Sequence, residues 1–149
     1  MQKKTILLVE DNPDDVEFTI RTLGRYHVTN QVDVARDGAE AVDYLFATGE
    51  HAGRDTSVTP AVILLDLQLP KIDGLEVLKR IRADERTKRI PVVILTSSQE
   101  DEDLLNGYKL GCNSFVRKPV GFEGFCEAVR QVGLYWLMLN EPPPSGGDA

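Results

Sequence analysis

Residues 62–67 read Val-Ile-Leu-Leu-Asp-Leu, and residues 5–11 read Thr-Ile-Leu-Leu-Val-Glu-Asp; in each, a short aliphatic run ends on acid. Continuous aliphatic runs of this kind mark parallel strands buried on both faces. In a parallel sheet the carboxyl ends of both strands point the same way, so Glu10, Asp11 and Asp66 would meet in one small volume. Carboxylates that close repel one another unless a cation joins them. Ligands of open α/β sheets bind in the crevice beyond the strands' carboxyl ends. The two segments thus set both the fold and the place to look for chemistry.

Further strand-like runs occur at Gln31 to Ala35, Pro91 to Leu95 and Ser114 to Val116, beside Thr5 to Val9 and Ala61 to Leu65. Helix-period segments alternate with them. Asn12 and Pro13 form an N-cap and first-turn pair for a helix to about Gly24, with Asp14, Asp15 and Glu17 suited to its positive end. A second helix is expected over Gly38 to Ala47, a third from Asp73 and Gly74 with Leu75, Leu78 and Ile81 inward, and a fourth over Asp101 to Leu110 with Gly111 as its C-cap. Thr48 to Pro60 reads as a polar surface loop away from the acids. Alternating strands and helices predict an α/β fold, a flavodoxin-like, doubly wound, five-stranded parallel sheet of order 2-1-3-4-5 with five helices, the last extended. In that order the acids fall at the switch point between strands 1 and 3. Residues 1–140 form the domain, and 141–149 a disordered tail rich in Pro and Gly.

Composition narrows the function. The 149 residues, 42% of them apolar, suffice for one well-buried domain. With 17 basic and 24 acidic residues the net charge of −7 argues against nucleic-acid binding. Cys112 and Cys126 lack metal-ligand spacing and read as reduced thiols of a cytoplasmic protein. Neither a signal peptide nor a membrane span is indicated. His27 and His51 read as inert loop residues.

The expected strand-end edge also carries Thr96, Ser97 and Lys118. Mg²⁺ favours oxygen ligands and commonly pairs one or two carboxylates with phosphate oxygens. A hydroxyl, free amides and an ammonium can hold the oxygens of a phosphoryl group. A carboxylate between them can act as nucleophile toward phosphorus, and Asp66 has that position.

Four pieces, LLVEDNPDD (7–15), VILLDLQLPKIDG (62–74), VVILTSS (92–98) and FVRKP (115–119), together resemble the receiver domains of two-component response regulators over about Lys4 to Val120. The resemblance implies that Asp66 is the phosphoacceptor and that Glu10, Asp11, Asp66 and the backbone carbonyl of Gln68 bind Mg²⁺, or Mn²⁺ in its place. It implies a switch hydroxyl at Thr96, a phosphoryl-binding lysine at Lys118, an aromatic switch at Phe115, and a cis Lys118–Pro119 bond. Gln68 and Ser98 occupy the positions that tune dephosphorylation.

No P-loop occurs, so the phosphoryl donor comes in trans, from a sensor histidine kinase. The polar loop after the second helix and the long last helix resemble the small regulators that accompany bacterial phytochrome kinases, and output is expected through protein contact. An aspartyl phosphohydrolase similar to haloacid dehalogenases would need an acid two residues after the nucleophile, where Gln68 stands. An unphosphorylated scaffold receiver would not need the intact acceptor, acids, threonine and lysine. From Val120 the last helix shows a stripe of Phe122, Phe125, Val129, Val132, Trp136 and Leu139, with Leu134, Tyr135, Leu137 and Met138 apolar on other faces. That surplus predicts a homodimer through Tyr135, Trp136, Leu137 and Met138, together with the strand 5 and helix 4 face; the alternative is that this end folds back on its own domain near helix 1.

Overall fold

A computed structural model describes residues 4–26, 31–142 and 144. The strands are β1 (Ile6–Val9), β2 (Val32–Ala35), β3 (Val62–Leu65), β4 (Val92–Thr96) and β5 (Ser114–Arg117). Between and after them run α1 (Pro13–Arg25), α2 (Gly38–Phe46), α3 (Gly74–Ala83), α4 (Asp101–Lys109) and α5 (Phe122–Leu134). All strand pairs are parallel, in the order β2-β1-β3-β4-β5, as the alternation of runs predicted. Register matches Val9 to Leu65, so the residues after them, Glu10 and Asp66, leave the sheet side by side.

The strands' two-residue period divides the core. Leu7, Val9, Ile63, Leu65 and Ile94 pack with Leu45, Val77, Leu78 and Ile81 of α2 and α3. Ile6, Leu8, Leu64, Val93 and Leu95 pack with Val16 and Leu23 of α1 and with Phe125 and Val129 of α5. Helices cover both faces of the sheet, while the edge strands β2 and β5 stay half-buried. Helix starts follow their caps: Asn12 Oδ1 accepts from the amides of Asp14 and Asp15, Asp37 from Glu40, and Asp73 from Glu76. Gly74 begins α3 directly over the acidic strand end, where a Cβ would lie 2.3 Å from Asp66 O. Only glycine fits that approach. α4 ends one residue before expectation, with Leu110 as its cap and Gly111 following at φ 100°.

Thr48 to Pro60 lies at the amino end of the sheet, away from the acids, and includes a 3₁₀ turn at Gly49–His51. His51 is not without partners: its ring meets Tyr44 edge-on at 5.5 Å and stands 3.4 Å from Glu40. The hydrophobic periodicity of α2, which brings Tyr44 beneath this loop, accounts for the contact. His27 lies outside the described residues, as do most of the residues expected to form the tail.

The last helix departs from its stripe. After Leu134 it widens into a π turn, Tyr135–Leu139, closed by Asn140 N–H donating to Tyr135 O at 2.6 Å. The buried positions become Phe125, Val129, Gly133 and Leu137, steps of four rather than alternating three and four. Leu137 is therefore sealed into its own core, against the expectation that it joins an interface, and Leu139 is 72% exposed. Phe122, also expected inward, is half-exposed but stacks edge-on against Phe18 at 4.8 Å. Trp136 packs partly on the same core, whereas Tyr135 and Met138 face solvent. Lys4 Nζ, donating to Leu137 O at 2.6 Å, satisfies a carbonyl that the widened turn leaves available.

Candidate phosphoacceptor and metal site

β1 and β3 deliver Glu10 and Asp66 into near-complete burial, 3% and 5% exposed, while Asp11 stays in solvent. One oxygen from each of Glu10, Asp11 and Asp66 lies within 4.8 Å of the others. β4 ends on Thr96, fully buried, whose Oγ1 donates to Asp66 Oδ1 at 2.8 Å. The same hydroxyl accepts from Ser98 N–H at 3.3 Å, so it ties Asp66 to the β4–α4 loop. Lys118 follows β5, fixed by its amide donating to Thr96 O at 2.7 Å. Its ammonium donates to Glu10 Oε1 at 2.7 Å, Asp15 Oδ2 at 2.8 Å and Asp66 Oδ2 at 3.2 Å.

No cis peptide bond occurs among the described residues, so the expected cis Lys118–Pro119 bond is absent. Proline tolerates either isomer at small cost, and the long lysine side chain reaches all three carboxylates from a trans backbone.

Gln68 sits across the mouth of the site. Its amide donates to Asp66 Oδ1 at 3.2 Å, and its side-chain oxygen accepts from Ser97 Oγ at 3.0 Å. The two loops that carry Asp66 and Thr96 are thereby bridged. Ser98 is buried and donates to Asp103 Oδ2 at 2.6 Å, anchoring the first turn of α4. Phe115 is half-buried against the α2–α3 core and touches α4 where Gly107 makes room: a Cβ there would stand 3.1 Å from the ring.

Two participants escaped the sequence. Asp15, read as a partner of the helix dipole, also grips Lys118; the available signal was its place four residues before Thr19 and seven before Thr22, both buried. Arg117 reaches from β5 to Ser98 O and Gln99 O at 3.3 and 3.4 Å and to Asp101 Oδ1 at 3.4 Å, which no sequence pattern announces.

The electrostatics favour a divalent cation. Burial, reinforced by the charge of Asp66, pushes Glu10 up to about 7 even though Lys118 opposes the shift by hydrogen bond and charge. Burial would depress Lys118, but its bonds to Asp15 and Glu10 and the charges of Asp66 and Glu10 outweigh that and hold it above its ordinary value. The lysine stays cationic, and one ammonium leaves a surplus of negative charge. A hard divalent ion with oxygen ligands fits that donor set.

The chain belongs to the response regulator receiver domain family, which residues 6–130 match. Members act as phosphoacceptors in two-component signalling, and phosphorylation and Mg²⁺ binding are general among them. Among its relatives, the probable methanogenesis regulatory protein FilR2 of Methanothrix harundinacea is 43% identical over 93% of this chain and 86% of its own. Response regulator Rcp1 of Synechocystis is 37% identical over 90% of this chain and 89% of its own. The crystal structure of phosphorylated RcpA, a cyanobacterial phytochrome response regulator, superposes with a TM-score of 0.89 at 38% identity, covering 96% of this chain and all of that one. The bacteriophytochrome response regulator AtBRR is 50% identical, with a TM-score of 0.73 over 95% of this chain and 100% of its own. A structure of Rcp1 holds Mn²⁺; it is 35% identical over 95% of this chain and 99% of its own, with a TM-score of 0.87. No helix among the described residues is long and apolar enough to cross a membrane.

Proposed function

We propose that this chain works as a stand-alone cytoplasmic response regulator, with its receiver spanning residues 1–140, which accepts a phosphoryl group on Asp66 from a phosphohistidine of a sensor histidine kinase. One observation carries the reading: the two oxygens of a single buried carboxylate are held by a hydroxyl, Thr96, and an ammonium, Lys118, beside two further acids. A carboxylate oxygen of Asp66 attacks phosphorus; the P–N bond of the donor breaks, its electron pair returns to the imidazole, which takes up a proton from solvent, and Asp66 is left as an acyl phosphate. Thr96 and Lys118 stand beside the two Asp66 oxygens, within a short shift of the phosphoryl oxygens where the negative charge lies. Glu10, Asp11 and Asp66, with the carbonyl of Gln68, would hold Mg²⁺, which when bound offsets the negative charge of the transferring group. Movement of Thr96 draws on Ser98, and with it on the β4–α4 loop that Arg117 grips.

The RcpA, Rcp1 and AtBRR likenesses support a phytochrome kinase as donor and output by protein contact. Tyr135, Trp136 and Met138, with the face of β5 and α4, remain our candidate for a homodimer contact. Acetyl phosphate with Mg²⁺ should add one phosphoryl mass to the protein and none to Asp66→Asn. Label retained by that variant overturns the assignment.

A further inference from the structure

Lys118 has three ammonium hydrogens, and three acceptors take them: Glu10, Asp15 and Asp66. The ammonium is saturated before any phosphoryl group arrives. Its contact with Asp66, at 3.2 Å, is longer than those with Glu10 and Asp15, at 2.7 and 2.8 Å. An oxygen added on Asp66 gains this lysine as that long contact gives way, but it must draw the ammonium against the two shorter ones. Glu10 is held in place by burial, its side chain 4% exposed, and it belongs to the cluster of three converging acids. Asp15 is different. Its carboxylate is not among the three that converge, its side chain is 23% exposed, and it stands in the first turn of α1, where water and the helix's positive end can stabilise it once released.

Resting on the phosphoacceptor reading above, we propose that Asp15 is a positioning residue: it holds the Lys118 ammonium toward α1 in the resting protein, competes with the phosphoryl group for it, and so sets how readily the phosphorylated state forms. Asp15 touches no reacting atom. Its influence passes through the lysine, and it predicts that loss of the Asp15 charge favours the phosphoryl-bound state rather than harming it. A mere helix-dipole partner predicts the opposite, a small loss of stability and no gain anywhere.

The test is titration of beryllofluoride at saturating Mg²⁺, followed by Trp136 fluorescence or amide shifts of residues 97–100, on wild type, Asp15→Asn, Asp14→Asn and Lys118→Met. Asp14, exposed on the same first turn and outside the lysine's reach, controls for helix-end charge. The midpoint should fall about five-fold in Asp15→Asn, a typical coupling between two sites, and stay near wild type in Asp14→Asn. In a Lys118→Met background the effect of Asp15→Asn should vanish, which a structural role would not produce. A midpoint in Asp15→Asn equal to or above wild type overturns the proposal, as does an equal shift in Asp14→Asn or persistence without the lysine. Failure of the wild type itself to respond with Mg²⁺ would instead remove the phosphoacceptor reading.

Discussion

Replacing Lys118 by Met keeps most of the aliphatic stem and deletes one charge from a place where it faces three carboxylates. The Glu10 and Asp66 side chains are 4% and 5% exposed, so water cannot substitute for the ammonium. Removing one partner from a buried ion pair costs on the order of 3–5 kcal/mol. At this chain length each kcal/mol moves Tm by roughly 2–4 °C, so metal-free Lys118→Met should melt about 6–20 °C below wild type at pH 8. The sign with pH follows from Glu10. Its folded value, pushed up to about 7, lies above its ordinary value of 4.5, so the stability it contributes is complete below 4.5 and is lost as pH rises through 7. Without Lys118 that upper bound climbs further. The deficit of the variant should accordingly shrink at pH 5.5, where Glu10 is protonated, and shrink also at pH 8 when Mg²⁺ takes over the ammonium's work; ligand at a hundred times its Kd contributes about 2.7 kcal/mol. Calorimetry in EDTA and in Mg²⁺ at both pH values decides it. A deficit that ignores both pH and metal would mean that the lysine matters for packing alone, and the charge argument would fall.

Gly74→Ala should cost about 1–3 kcal/mol by urea unfolding, because the new Cβ would press on Asp66 O at 2.3 Å and Leu67 Cα at 2.6 Å, both backbone; a neutral result would mean that α3 can shift off the site. Tyr44, whose hydroxyl donates to Asp33, is held above its ordinary value of 10 by burial first and then by that carboxylate. Its contribution is complete below pH 10 and lost above, so Tyr44→Phe should flatten the alkaline limb of stability against pH; an unchanged limb refutes the cause given. For the homodimer, light scattering at micromolar concentration should show a dimer that Tyr135→Asp with Met138→Asp dissociates. A wild type that stays monomeric with beryllofluoride and Mg²⁺ ends that proposal.

The strands, their order and the meeting of Glu10, Asp11 and Asp66 were legible because each rests on a short-range rule, an aliphatic run ending on acid, repeated in an alternating chain. The caps at Asn12, Asp37 and Asp73 obey equally local rules, and Asn12 and Asp73 could be named from sequence. What could not be read depended on distant geometry. Asp15 obeys the helix-dipole rule and also meets Lys118, more than a hundred residues away. The π turn hides because apolar residues fill every position from Leu134 to Leu139, so periodicity cannot say which of them turns inward. The expected cis bond came from resemblance, not from these residues.

The Lys4 ammonium on the Leu137 carbonyl joins the start of β1 to the end of the last helix, at the edge of the sheet opposite Asp66. The Thr48 to Pro60 loop opens at that same edge. Joining residues near 4 and 140 by a short linker and cutting within that loop should give a circular permutant with an undisturbed Asp66 site, since every joint lies on the far side of the core. Dyes, tethers or fused modules attached near Lys4 or Asn140 would likewise leave the mouth of the Asp66 site clear, and so report on the proposed phosphorylation without standing in its way.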